Sequence, residues 1–304
     1  MNAIFHGYDQ AQLDAQYNNR QMVPEYPAYL ARWQADSETA RRTARAELDL
    51  AYGPSAAETL DFFRAADQPA NQTGGAPVVL FIHGGYWQAL DKKDFSFVAP
   101  AFLAAGASVA VVNYALCPAA TIDEIVRQMR ACLVWLWRNA RRFGGDPGRI
   151  HVTGHSAGGH LTAALMTTDW AAHGLPAIGS GGDPIAGGVA ISGLYELESI
   201  RLTYLNKALT LDAESARRNS PVFDVKPLSA ALPPLVLAVG QRESGEFHRQ
   251  QSAFAAVWRA AGRSALEMDL PGRNHFSILD AFCDPSHALF RATLDQVSQP
   301  RASA

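Results

Sequence analysis

Short apolar runs that alternate with helical segments constrain the fold of this chain more than any other feature of its sequence. From residue 78 onward, five runs have the length of a strand and are apolar almost throughout: 78–83 (VVLFIH), 108–116 (SVAVVNYAL), 149–154 (RIHVTG), 185–192 (IAGGVAIS) and 235–240 (LVLAVG). Strands that are apolar on both faces are typical of a parallel sheet covered by helices on both sides. The pattern therefore predicts an α/β fold with a mostly parallel, doubly wound sheet.

The segments between these runs have helical periodicity. Over 121–143 apolar residues recur at the 3.6-residue spacing of a helix face, and Thr121 with Glu124 predicts a capping box at its start. A further helix is predicted over 246–261, directly before a glycine. Two runs ahead of the alternating pattern predict an antiparallel leading hairpin: 48–52 (LDLAY) and 60–65 (LDFFRA).

The first 45 residues differ in composition from the rest of the chain. Segment 1–45 is rich in Gln, Asn, Tyr and Arg and contains helical stretches, which predicts an N-terminal helical cap. The core is then 46–304, and cap and core form a single domain over 1–304. The N-terminus has no basic head with an apolar run, and no stretch reaches the roughly 18 apolar residues of a membrane helix. We therefore expect no membrane partner.

Charge and cysteine content limit the remaining partners. A net charge of −3 provides no basic surplus for nucleic acid, although 48% apolar residues suffice for a buried core. The three cysteines form no CxxC pair and are too few for a disulfide framework: Cys117, Cys132 and Cys283. A cytoplasmic protein with a small-molecule partner is expected, and self-association as a homodimer is left open.

The strongest chemical signal is the sequence GHSAG at 154–158, placed between an apolar run and a helix-forming run. A nucleophile exposed on a sharp, strained turn requires glycine on both sides, because larger side chains would clash. We predict that Ser156 is a nucleophile and that the amide of Ala157 donates to a developing oxyanion. The alternative is an ordinary glycine-rich turn between a strand and a helix.

A second glycine signal, FIHGGYW at 81–87, directly follows the first of the five apolar runs. Glycines leave backbone amides free to face negative charge, so Gly84, Gly85 and Tyr86 are the predicted donors of an oxyanion hole. His83 is expected to order this loop rather than to transfer protons. The alternative is again an ordinary glycine turn.

A serine hydroxyl needs a base to remove its proton, and the base needs a carboxylate to orient it. In chains with this serine turn, the acid and the histidine follow the serine in that order, each after a later strand. Glu243 follows the run 235–240, and His275 follows the run 265–270 (ALEMDL). The competing histidines and acids have less suitable positions: His248, His287, Asp269, Asp280 and Asp284.

Two further groups of residues bear on a metal site and on a substrate pocket. His151, His155 and His160 are close in sequence, but a strand, a turn and a helix would keep them from converging on a metal. We therefore expect neither a metal nor another cofactor. An aromatic substrate pocket is predicted from five residues: Tyr86, Trp87, Tyr195, Tyr204 and Phe276.

The motifs HGGYW (83–87) and GHSAGGHL (154–161) together resemble the kynurenine formamidase (arylformamidase) group of the α/β-hydrolases. The likeness extends over nearly the whole chain, through YDQAQLDAQYNNR (8–20), SGLYELESI (192–200), ARRNSP (216–221) and VGQRESGEFHRQ (239–250). It implies the α/β-hydrolase fold, with Ser156 as nucleophile, His275 as base and Glu243 as acid. Glu243 departs from the pattern of that group, which usually has Asp at this position.

The implied activity is hydrolysis of small-acyl carboxylic esters or arylformamides through a Ser-His-Glu triad and an acyl-enzyme. Tyr86 replaces the third glycine of the HGGG loops of lipase-like relatives. This bulky ring predicts a narrow space for the acyl group of the substrate. One alternative is a dedicated kynurenine formamidase of tryptophan catabolism. Another is a non-catalytic ligand receptor on the same fold.

Overall fold

One eight-stranded sheet runs through the computed structural model, which describes residues 3–66, 75–177, 180, 182–226 and 233–298. Its order is β1-β2-β4-β3-β5-β6-β7-β8. β2 is antiparallel to β1 and β4, and all other neighbours are parallel. The strands are β1 (Ala46–Ala51), β2 (Thr59–Phe63), β3 (Ala76–Ile82), β4 (Ser108–Val112), β5 (Gly145–His155), β6 (Gly187–Ile191), β7 (Leu235–Gly240) and β8 (Ala265–Leu270). The mostly parallel sheet and its antiparallel leading hairpin confirm the sequence prediction.

Helices precede the sheet and connect its strands. They are α1 (Gln10–Tyr17), α2 (Asn19–Met22), α3 (Tyr26–Thr43), α4 (Ala99–Ala104), α5 (Ile122–Asn139), α6 (Ala157–Met166), α7 (Glu198–Arg201), α8 (Asn206–Leu209), α9 (Ala213–Arg218), α10 (Gly245–Ala260), α11 (Ile278–Cys283) and α12 (Ala288–Ser298). Short 3₁₀ helices lie at Lys92–Val98, Ala140–Phe143, Trp170–His173 and Pro221–Phe223. The division at 45/46 falls between α3 and β1.

The side chains of β3 show why helices cover both faces of the sheet. All seven residues of the strand are buried. Leu80 belongs to a core cluster with Leu133 of α5 and Leu161 of α6, whereas its neighbour Phe81 belongs to a second cluster with Phe282 of α11. Successive side chains of a strand point to opposite faces, so each face needs its own apolar layer. Burying such a side chain contributes about 1.5–3 kcal/mol.

The start of α5 differs from the predicted capping box. The Thr121 side chain accepts a hydrogen bond from the amide of Glu124 at 3.2 Å, as expected of an N-cap residue. The second bond of a capping box, from the Thr121 amide to the Glu124 carboxylate, is absent among these residues. That carboxylate instead accepts from Arg127 at 2.7 and 2.8 Å and from Gln128 at 2.9 Å. The prediction was therefore right for the hydroxyl and wrong for the carboxylate.

In the part of the chain that the structure describes, no helix is long and apolar enough to cross a membrane. Cys117, Cys132 and Cys283 are free thiols. Burial raises the pKa of all three, that of Cys117 to about 11.

Candidate active site

Ser156 lies on a strained turn between β5 and α6. Its backbone has φ 58° and ψ −118°, a left-handed φ that residues other than glycine rarely adopt. The amide of Ser156 donates to the carbonyl of Ile191 at 2.8 Å, which ties the turn to the end of β6. Strain of this kind costs about 1–3 kcal/mol and persists where the surrounding structure enforces it.

The glycines on either side of the serine have no room for a side chain. A Cβ built on Gly154 would lie 2.2 Å from the carbonyl oxygen of Gly158. A Cβ on Gly158 would lie 1.9 Å from the carbonyl oxygen of Ile82 in β3. Both glycines therefore allow β5, α6 and β3 to approach closely enough to form the turn.

The loop after β3 approaches Ser156 from the neighbouring strand. Gly85 has φ 112° and Tyr86 has φ 48°, so the loop bends sharply at these residues. Among the described residues, no protein acceptor is found for the amides of the four predicted donors, Gly84, Gly85, Tyr86 and Ala157. His83 orders the loop, because its Nδ1 lies 2.7 Å from the carbonyl oxygen of Gly84. The arrangement offers free backbone donors beside the serine.

A buried acid–base pair lies at the ends of β7 and β8. His275 Nδ1 is 2.6 Å from Glu243 Oε2, and the ionised carboxylate can only accept, so Nδ1 carries the proton. Nε2 is then left as the basic nitrogen. The Glu243 side chain is fully buried, and its amide donates to the carbonyl of Gly240 at 2.9 Å, which closes the turn after β7.

Two donors that no local sequence pattern predicts hold the other oxygen of this carboxylate. The Ser192 hydroxyl and the Gly240 amide each donate to Glu243 Oε1 at 2.7 Å. Ser192 follows β6 and is buried. Its place in the motif SGLYELESI was the available signal, but nothing local to that motif indicates which acid it contacts.

His155 supports the loop that carries His275. Its Nε2 donates to the carbonyl of His275 at 2.8 Å, and the two ring centroids are 4.6 Å apart. Burial, and then the neighbouring His275, holds the pKa of His155 well below its ordinary value. His155 is therefore neutral and fixes backbone rather than exchanging protons.

Ser156 and His275 line one cavity of about 490 Å³. The structure forms no hydrogen bond between them, and contacts of this kind commonly tighten only when substrate binds. Glycines of the β3 loop lie on one side, and residues 17–20 of the N-terminal segment lie on another. Five large aromatic residues complete much of the wall: Trp33, Tyr86, Phe95, Tyr204 and Phe276.

Two of the residues expected in the pocket lie outside its lining. Trp87 is fully buried, and its Nε1 donates to His160 Nδ1 at 3.3 Å beneath the loop. Tyr195 is 1% exposed and stacks on Phe254 of α10 with ring centroids 4.5 Å apart. The apolar core therefore takes both aromatic rings, which corrects the expectation for these two positions.

The histidines considered as metal ligands serve separate structural contacts. His160 Nε2 donates to the carbonyl of Asn219 at 2.7 Å, while His155 binds the His275 loop. His151 lies on β5, and its Nδ1 has no hydrogen-bond partner. Within the described ranges, no group of three His, Cys, Asp or Glu side chains is arranged to hold a metal ion.

The chain is similar to several known hydrolases. A family model described as BD-FAE matches residues 66–175. Kynurenine formamidase of Salmo salar is 32% identical over 267 residues, which cover 86% of this chain and 86% of that protein. Esterase LipC of Mycobacterium tuberculosis is 28% identical, over 83% of this chain and 65% of that protein. A hyperthermophilic esterase of Pyrobaculum calidifontis superposes with a TM-score of 0.67 at 20% identity, over 95% of this chain and 94% of that one.

The fold, with its serine turn and the cavity at the carboxyl ends of its strands, defines an α/β-hydrolase. The chain is a hydrolase. More particularly, it belongs to the kynurenine formamidase and esterase group of that superfamily.

Proposed function

We propose that the protein hydrolyses small-acyl carboxylic esters or arylformamides through a Ser156-His275-Glu243 triad. The observation that carries the proposal is the meeting of three elements at one cavity. These are a strained serine, a histidine held by a buried carboxylate, and backbone amides without a protein acceptor. Each element has a defined role in acyl transfer.

Attack on the substrate carbonyl begins with Ser156. His275 Nε2 takes the proton of the serine hydroxyl as the oxygen bonds to the carbonyl carbon, and the carbonyl becomes an oxyanion. Amides of the loop after β3 (Gly84 and Gly85 or Tyr86) and of Ala157 donate to this oxyanion, and each such donor contributes about 3 kcal/mol in similar enzymes. Glu243 stabilises the imidazolium that forms.

Collapse of this intermediate releases the leaving group. His275 gives its proton to the leaving alcohol or aniline, and Ser156 remains as an acyl ester. A water molecule then loses a proton to His275 and attacks the ester carbonyl. The bond between the serine oxygen and the acyl carbon breaks, His275 returns the proton to that oxygen, and the acid product leaves with the serine restored. The chain's own residues supply every proton transfer in this sequence.

The shape of the cavity supports a small acyl group and an aromatic leaving group. Tyr86 stands where a third glycine would leave more space, and its side chain lines the cavity. The aromatic side chains of Trp33, Tyr204 and Phe276 offer apolar area for an aryl leaving group. Turnover should therefore fall steeply from acetyl to octanoyl esters of p-nitrophenol.

The decisive experiment measures hydrolysis of p-nitrophenyl acetate and covalent labelling by a fluorophosphonate. We expect the native protein to be labelled and to turn over the ester, and Ser156→Ala to lose labelling and at least about 10³-fold in kcat. Ser252→Ala, which removes an exposed serine of α10, is the matched control. Labelling and turnover that survive in Ser156→Ala would refute the triad.

A dedicated kynurenine formamidase is the narrower alternative, favoured by the similarity to the Salmo salar protein. The ratio of kcat/KM for N-formylkynurenine to that for p-nitrophenyl acetate separates the two activities. A ratio far above one supports the dedicated enzyme. A non-catalytic receptor on this fold would bind a ligand without being labelled.

The free thiols fit a reducing compartment, so we also propose a cytoplasmic location.

A further inference from the structure

The carboxylate of Glu243 has more hydrogen-bond donors than the orientation of a histidine requires. Oε2 accepts from His275 Nδ1 at 2.6 Å. Oε1 accepts from the hydroxyl of Ser192 and from the amide of Gly240, both at 2.7 Å. The bond from Ser192 joins a hydroxyl to a carboxylate, and charge-assisted bonds of this kind are the strong ones. Ser192 is 2% exposed, so water does not compete for the contact.

The backbone of Ser192 is strained in a way that glycine would avoid. Its φ is 50°, and its amide donates to the carbonyl of Ala238 in β7 at 2.7 Å. Glycine adopts such a φ at no steric cost, whereas serine stores strain. A serine at this position therefore keeps a hydroxyl where backbone geometry alone would favour glycine. Ser244 provides a contrast, because its hydroxyl is buried beside Glu243 without a hydrogen-bond partner.

Glutamate is one methylene longer than aspartate and has one more rotatable bond. A longer arm can place its carboxylate in more positions, so a fixed position requires additional contacts. We propose, building on the triad proposed above, that Ser192 is a positioning residue that fixes Glu243 and draws negative charge away from its contact with His275. The hydroxyl acts on the reaction through the carboxylate and touches no substrate.

This role has a consequence for proton uptake. A hydrogen bond to a carboxylate stabilises its charged form. Without the Ser192 hydroxyl, more negative charge remains on the oxygens, and the Glu243–His275 pair takes up a proton more readily. The acid limb of the kcat/KM profile therefore moves to higher pH. A structural defect alone would lower kcat/KM by the same factor at every pH.

Burial moves the pKa of three neighbouring groups away from neutral pH. Burial lowers the pKa of His155 well below its ordinary value. Burial also raises the pKa of Tyr86 and of Tyr195 above theirs. The other ionisable groups nearby are Arg242 and Arg273, in the two loops that carry the pair, and His248 of α10, whose Nδ1 lies 3.9 Å from Asp269 Oδ2. Because Ser192→Ala and Ser244→Ala leave these groups in place, a shift of the acid limb that appears only in Ser192→Ala reports on the pair itself.

The test compares Ser192→Ala with Ser244→Ala, using p-nitrophenyl acetate between pH 5 and pH 9. For Ser192→Ala we expect kcat at neutral pH to fall about tenfold with little change in KM. We also expect its acid limb to move up by about 0.5–1 pH unit. Ser244→Ala should match the native profile. A full-activity Ser192→Ala variant, or an equal loss at all pH values, would overturn the proposal.

Two further measurements keep the result independent of folding and of turnover. In a Glu243→Gln background, Ser192→Ala should cost little more, because the charge on which it acts is already gone. The downfield proton resonance of His275 Nδ1–H, followed by NMR, should shift in Ser192→Ala and stay in place in Ser244→Ala. An unmoved resonance would overturn the role of Ser192. A native protein that shows this resonance but hydrolyses none of the esters or formamides would instead refute the proposed function.

Discussion

The hydroxyl of Tyr86 donates a hydrogen bond to the backbone carbonyl of Tyr17 at 2.8 Å and accepts one from the Asn19 amide at 3.1 Å. These two bonds join the loop after β3, which carries the free amides, to the N-terminal segment. The directions are fixed by chemistry, because the phenol has one proton and gives it to the carbonyl. The N-terminal segment and the loop after β3 therefore form one connected wall of the cavity.

Removal of the Tyr86 hydroxyl should loosen the loop after β3 while the aromatic ring of residue 86 remains in place. For Tyr86→Phe we expect kcat to fall about tenfold, because the amides of Gly85 and Tyr86 lose their fixed direction. The free energy of unfolding should decrease by about 1–2 kcal/mol, mostly from the buried Tyr17 carbonyl and Asn19 amide left with fewer partners. Steady-state kinetics with p-nitrophenyl acetate and urea unfolding measure both effects.

Tyr29→Phe is the control for this substitution, since no hydrogen bond of the Tyr29 hydroxyl is found in the described structure while its ring stacks on Phe276. It should retain native kcat. Equal kinetics for Tyr86→Phe and Tyr29→Phe would show that the link between loop and cap does not position the amides.

The length and the charge of the acid can be tested separately at Glu243. Glu243→Gln keeps the length but replaces a pure acceptor with an amide, which favours the wrong histidine tautomer and should lower kcat by about 10³–10⁴. Glu243→Asp keeps the charge but withdraws the carboxylate by one methylene from Ser192 or from His275, so a loss of about tenfold is expected. Were Gln to lose no more than Asp, the charge would not be what the site requires.

Local patterns in the sequence were enough to predict the strands and to place three candidate site residues at strand ends. Ser156, Glu243 and His275 each follow a recognisable strand, and the carboxyl ends of parallel strands meet at one edge of a sheet. The structure brings Glu243 and His275 into contact and places Ser156 at the same cavity as His275. Strand periodicity, turn chemistry and the chain order of serine, acid and histidine in this fold thus suffice to select these three candidates.

Contacts between distant segments could not be predicted in this way. Ser192 and Glu243 are 51 residues apart, and only the packing of β6 beside β7 brings the hydroxyl to the carboxylate. The sequence predicts Trp87 and Tyr195 as pocket residues because they are aromatic and lie near the site motifs. It does not indicate whether an aromatic ring faces the pocket or the apolar core. The structure places both rings in the core, where burial of a large apolar area stabilises them.

The buried histidine His160 makes stability depend on pH. Its Nδ1 accepts from Trp87 Nε1 at 3.3 Å and its Nε2 donates to Asn219 O at 2.7 Å, so the neutral ring satisfies both partners. Burial lowers its pKa to about 4, below its value in the unfolded chain. The same cause lowers the pKa of His151 to about 3 and also lowers that of His83.

Because these histidines have depressed pKa values in the folded state, the unfolded chain binds more protons below its own histidine pKa of about 6.5. The stability they contribute is complete above about pH 6.5 and is lost as the pH falls towards 4. His160 alone should account for at most about 3 kcal/mol over this window. Urea unfolding at pH 7.5, 6 and 5 should show this decline.

His160→Gln, which can still accept from Trp87 and donate to Asn219, should be less stable at pH 7.5 but lose less stability on acidification. A decline as steep in His160→Gln as in the native chain would show that protonation of His160 does not drive it.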